Sequence, residues 1–174
     1  STLCKYMLLP YLKEFIHRNP HISISIECQS TNETLKLLDD DKIDIGLIGK
    51  PASLKTFNFY YLDNIEDIFV TTKDYLRNLS ARGVKKSEIL QNSTLMLLDK
   101  GNMTRKYIDD YLQENQIHVK DSIDISNMDL LIDFAKIGVG VACVIKSIVS
   151  KELADGTLIE IPLGIPIHKR EVGF

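Results

Sequence analysis

Two spacings alternate along this chain. The apolar positions Leu8, Leu12, Phe15 and Ile16 keep helical spacing, and Asn19-Pro20 stops that run. Pro10 inside it either starts the regular helix or kinks it. Ile22, Ile24 and Ile26 then alternate with Ser23 and Ser25, which predicts a strand. Gln29-Ser30-Thr31-Asn32 leads into a helix carrying Leu35 and Leu38, with Ser30 or Thr31 as its cap. Asp39-Asp40-Asp41 ends it at a solvated corner, and Ile43 to Ile48 reads as a short buried strand. Residues 60–72 look extended and mark a break. Beyond it, Thr94 to Leu98 predicts a strand, and Gly101-Asn102-Met103-Thr104 turns into a helix bearing Tyr107, Ile108, Tyr111 and Leu112. Ser122 to Ile125 is a strand, Asn127 caps a helix with Leu130, Leu131 and Phe134, and Gly138 closes it. Val139 to Ile145 is apolar without alternation, as a strand covered on both faces requires. Leu158–Ile161 and Ile165–Gly173 give two more extended segments. Strands alternating with helices twice over predict an α/β protein with parallel sheets, in two lobes.

The polar residues at the helix starts exceed what capping needs. A helix start offers free N–H groups and a partial positive charge, and Ser, Thr and Asn add adjustable donors. Four places have this character: Ser1-Thr2, Ser30-Thr31-Asn32, Gly101-Asn102-Met103-Thr104, and Ser126-Asn127. In open α/β sheets such loops lie at the carboxyl ends of strands, where ligands bind. If they converge, they form a site for a small polar or anionic molecule; if they do not, they are caps only. Arg105 carries the same choice between pairing with a carboxylate ligand and a structural role.

Composition narrows the classes. The 174 residues carry a net charge of −3, so no strongly basic surface offers itself to nucleic acid. Three cysteines, Cys4, Cys28 and Cys143, lie far apart and four histidines are scattered, so no metal or cofactor is expected. Unpaired cysteines suit a reducing compartment such as the cytoplasm; the sharper alternative is a redox switch. No apolar run is long enough to span a membrane, which excludes a transmembrane role. No nucleophile elbow, phosphate loop or clustered acid–base set is present, so a hydroxyl-rich site without His or Lys fits binding rather than catalysis. The chain opens inside a structured element and reads as part of something longer.

Several stretches together resemble one family. Ser1 to Pro10 looks like an opening helix ending in Leu-Leu-Pro, and Ile43-Asp44-Ile45-Gly46 like an Ile-Asp-hydrophobic strand. Gly101 to Arg105 resembles a Gly-Ser-Gly-Thr-Arg turn, Gly138 to Ala142 a Gly-x-Gly-Ile-Ala strand, and Leu153 to Leu158 a Leu-x-x-Gly-x-Leu. The family is the LysR-type transcriptional regulators, and the part is their effector-binding domain. The resemblance implies a periplasmic-binding-protein-like fold: two Rossmann-like lobes joined by two crossover strands, with a ligand cleft between them. Lobe I would hold residues 1–64 and 166–174, incomplete at both ends, and lobe II residues 65–165. The effector contacts would fall on Ser1, Thr2, Thr31, the Gly101–Thr104 turn and the strand around Val141 to Val144, Val141 and Ala142 above all. DNA would be bound only by an N-terminal winged helix-turn-helix that this chain does not contain. Protomers would pair as homodimers or homotetramers, with the first helix contributing Leu12 and Ile16. Asp41 stands where the family has Gly, Ile145 where Pro is common, and Met103 where a small residue is usual. Two other readings share the scaffold: a transporter's solute-binding protein, which an export signal would reveal, and an enzyme, which turnover would reveal.

Overall fold

Unsatisfied backbone groups decide where these patterns become elements. The structure, a computed structural model, describes residues 2–54 and 56–174. In chain order its helices are α1 (Leu9–Arg18), α2 (Thr31–Asp39), α3 (Lys73–Ala81), α4 (Ile89–Asn92), α5 (Met103–Glu114), α6 (Met128–Lys136) and α7 (Ser150–Asp155). Its strands are β1 (Ile48–Gly49), β2 (Tyr61–Ile65), β3 (Asp67–Thr71), β4 (Thr94–Leu98), β5 (Asp121–Ile125), β6 (Val141–Ile145), β7 (Ile159–Glu160) and β8 (Arg170–Gly173). The chain divides into two units, one running up to Asn64 together with Arg170–Phe174, the other spanning Ile65–Lys169.

In the first unit, a π-wound segment, Cys4–Leu8, leads into α1. Pro10 explains the junction. It has no N–H to donate, and its ring crowds the carbonyl four residues back, so the turn before it widens. Leu9 N–H accordingly reaches the Cys4 carbonyl, five residues behind. The three-stranded sheet runs β1-β8-β2, with Ile48 opposite Gly173 in an antiparallel pair. Gly173 is required there: a Cβ would stand 2.1 Å from the Tyr60 carbonyl oxygen. Gly46 admits α2 in the same way, since a Cβ would meet the Thr34 methyl at 2.7 Å.

Two expected strands fare badly in this unit. Ile22, Ile24 and Ile26 are exposed, and no strand is assigned to residues 22–30. An alternating run becomes a strand only when a neighbour completes its ladder. The run from Ile43 shrinks to the two residues of β1, and Ile45 is 69% exposed.

The second unit is a five-stranded sheet in the order β5-β4-β6-β3-β7. β4 pairs in parallel with β5 and β6, while β3 is antiparallel to both β6 and β7. The sheet is therefore mixed, not wholly parallel as expected. Its parallel half follows from helical crossovers, and β3 enters from the other direction. Leu95 and Leu97 pack with Ile108 and Leu112 of α5, while Met96, facing the other way, is equally buried. All five residues of β6 are buried, so the missing alternation has its cause in burial on both faces. Gly140 precedes β6 where a Cβ would lie 2.2 Å from the Thr94 carbonyl oxygen. Gly138, at φ +80°, closes α6 as expected. Helices α3 and α7 were not foreseen. Thr72 caps α3 through its hydroxyl, which accepts from Tyr75 N–H, and Leu79 buries its inner face.

Candidate functional site

In the first unit the cap of α2 is Ser30. Its hydroxyl accepts from Glu33 N–H at 3.3 Å, and its carbonyl accepts from Thr34 N–H at 2.9 Å. Thr31 is thereby released from capping. It is half-buried at the first turn, and among the described residues its hydroxyl has no hydrogen-bond partner. Asn32 is exposed beside it. Thr2 is half-buried in the first helical turn. Burial first, and the neighbouring Cys28 thiol second, raise the Cys4 thiol above its ordinary value. Ser1 lies outside the described residues.

In the second unit Asn102 caps α5, its side-chain oxygen accepting from Thr104 N–H at 2.8 Å. Asn127 caps α6 likewise, accepting from Leu130 N–H at 2.9 Å. These caps follow the carboxyl ends of adjacent parallel strands, β4 and β5. The Asp99 N–H donates to the Ile125 carbonyl at 3.2 Å and joins the two loops. The Gly101–Thr104 turn and the Ser126-Asn127 start are therefore neighbours on one edge of the sheet. Gly101 is exposed, while Met103 and Thr104 are half-buried.

Val141 and Ala142 stand elsewhere. Register places them opposite Leu95 and Met96, toward the amino end of β4, and both are fully buried. Their side chains have no exposed surface. Complete burial in a two-faced sheet makes them part of the floor. Arg105 is structural as well. It is 5% exposed and donates to the Leu98 carbonyl at 2.7 Å, to Asp124 at 2.6 Å and to Asp109 at 2.8 Å. Burial works against its charge, and the two carboxylates outweigh burial to hold the guanidinium above its ordinary value. This clamp fixes the carboxyl ends of β4 and β5 under the Asn102 turn.

The model of the LysR substrate binding domain matches residues 1–174. The chain belongs to that family. An HTH-type transcriptional activator, CmpR of Synechocystis, is 25% identical over 174 residues, covering 97% of this chain and 55% of its own length. The HTH-type transcriptional regulator YeiE of Escherichia coli is 23% identical over 167 residues, covering 95% and 56%. The chain thus spans a little over half the length of these relatives. Among solved structures, the CcmR regulatory domain of Synechocystis in complex with 2-PG superposes with a TM-score of 0.79 at 17% identity, covering 97% of this chain and 80% of that one. The cofactor-binding domain of the Cbl transcriptional regulator gives 0.77 at 17% identity, covering 99% and 75%. The fold is that of periplasmic-binding-protein-like type 2 regulatory domains. Its relatives are regulators, and the transporter reading finds no support among them.

Against this LysR-family background, one position escaped the sequence reading. Asp67, 2% exposed, opens β3 level with Ile145 at the same edge of the sheet as Asn102. A carboxylate heading an otherwise apolar strand was the available signal. Lys146, directly after β6, pairs with Glu160 and Glu66, each at 3.4 Å.

Proposed function

We propose that this domain senses a small polar or anionic effector through its helix starts, and that a longer protein couples this to DNA binding by a winged helix-turn-helix. Thr31 carries the proposal. A half-buried hydroxyl beside a helix start, with the cap already supplied by Ser30, is free to meet a solute. Thr2 and Asn32 extend this polar face in the first unit, and Gly101, Asn102, Met103 and Thr104 form its counterpart in the second. That a Synechocystis relative of this fold is a complex with 2-PG supports an anionic class of effector. The role is binding without turnover, in the cytoplasm, in a homo-oligomer. Exposed Leu9, Phe15 and Ile16 on α1 support self-association.

The test is a thermal-shift series with small carboxylates, sulfate and phosphate on the protein and on Thr31→Val. A ligand at a hundredfold excess over its Kd stabilises by about 2.7 kcal/mol. The expected result is a shift that Thr31→Val reduces while melting without ligand stays unchanged. A shift of equal size in the variant would remove the helix start of α2 from the site.

A further inference from the structure

We infer that residues 21–27 pair two copies of this chain through an antiparallel ladder centred on Ile24. The segment His21-Ile22-Ser23-Ile24-Ser25-Ile26-Glu27 is complementary to itself. With Ile24 opposite Ile24 of a second copy, Ile22 meets Ile26, Ser23 meets Ser25, and His21 meets Glu27. Each of these is a pairing that stabilises a sheet: β-branched side chains abreast, hydroxyl with hydroxyl, and a base with an acid at both ends. A slip of one residue would turn one isoleucine row to the opposite face, so the sequence specifies the register.

The segment is open to such pairing. Ile22, Ile24 and Ile26 are exposed, no strand is assigned to residues 22–30, and none of them has a positive φ. The Ile22 N–H donates to the Asn19 carbonyl at 3.2 Å. Successive residues of an extended chain turn their backbone groups to opposite edges, so Ser23 and Ser25 present theirs to the other edge. Among the described residues, no backbone group of residues 23–29 has a hydrogen-bond partner. A row of free N–H and C=O groups is a template for another chain. His21 and Glu27 are exposed and, among the described residues, have no ion-pair partner. Pro20, which has no N–H to donate, bounds the ladder at one end. The match of charge with charge and isoleucine with isoleucine commits this edge to a second copy. The ladder deepens the homo-oligomer reading above and does not depend on the effector.

The experiment uses the 174-residue protein, with sedimentation velocity over a range of concentrations and amide hydrogen exchange across residues 22–27. The expected result is a monomer–dimer equilibrium in which exchange at Ser23 and Ser25 slows as the dimer forms. Ile24→Lys sets two ammonium groups opposite each other and should weaken the dimer about a hundredfold or more. His21→Glu sets Glu against Glu27 at both ends and should weaken it about tenfold. Combining His21→Glu with Glu27→Lys reverses the pair and should restore the Kd to within about threefold. A monomer up to about 1 mM, a dimer with unchanged exchange at residues 22–27, or a double variant no tighter than His21→Glu would each overturn the inference. A dimer lost in Phe15→Ser yet kept in Ile24→Lys would remove the ladder and leave the homo-oligomer reading standing through α1. Exchange in the unsubstituted protein decides even if a variant fails to fold.

Discussion

The two units spend their apolar residues differently. In the second, Phe69, Leu95, Met96, Leu131 and Val144 have almost no exposed surface, and β3, β4 and β6 are buried at every position but Thr94. In the first, neither α1 nor α2 has a buried residue, and Leu9, Tyr11, Phe15, Ile16 and Ile22 are exposed. Both units carry equally periodic sequence. Periodicity therefore specifies which face wants cover, and only a neighbouring element supplies it.

Substitutions can break or sharpen that contrast. Phe69→Ala should cost the most, about 4 kcal/mol by urea denaturation, because a full side chain leaves a packed core. Arg105→Met should cost about 2 kcal/mol, since it strands the Leu98 carbonyl, while the Asp109 and Asp124 carboxylates stay solvated. A loss under about 0.5 kcal/mol there would mean that water replaces the clamp. Gly140→Ala should cost about 2 kcal/mol, because the new methyl meets a backbone oxygen, which cannot rotate away.

Smaller effects probe the other side. Lys146→Ala should cost about 0.5 kcal/mol, as its carboxylate partners are well solvated. Glu160 chiefly, with Glu66, raises the Lys146 pKa above its ordinary 10.5. The folded value exceeds the unfolded one, so this contribution is complete below pH 10.5 and is lost as pH climbs through the raised value. Phe15→Ala should change stability by no more than about 0.5 kcal/mol in dilute protein. A loss approaching that of Phe69→Ala, growing with protein concentration, would show α1 covered by a second copy and would erase the contrast between units.

The helix starts were legible in part. Asn127 was identified as a cap and acts as one, and Asn102, read only as part of a turn into a helix, caps too, because a side-chain oxygen one residue before a helical run has few better uses. For α2 the choice between Ser30 and Thr31 was open. Only backbone geometry settled it, with Ser30 extended at ψ 159° and Thr31 already helical. For Arg105 a solvated or structural role was the commoner expectation, and its partners could not be read. A charge pattern does not reveal whether a guanidinium faces a ligand or three oxygens of its own fold.

The sequence alone determined the helical periods of α1, α2, α5 and α6, the Asn127 cap, the glycine that ends α6, and membership of a family with a recognisable order of motifs. Those features depend on residues a few places apart, whose geometry is local. Tertiary structure decided the rest. It made β3 antiparallel, buried Val141 and Ala142 at the level of Leu95 and Met96, and denied Ile22, Ile24 and Ile26 a ladder. Each of these depends on which distant segment arrives alongside, and a strand's hydrogen bonds and a side chain's burial are properties of the pair.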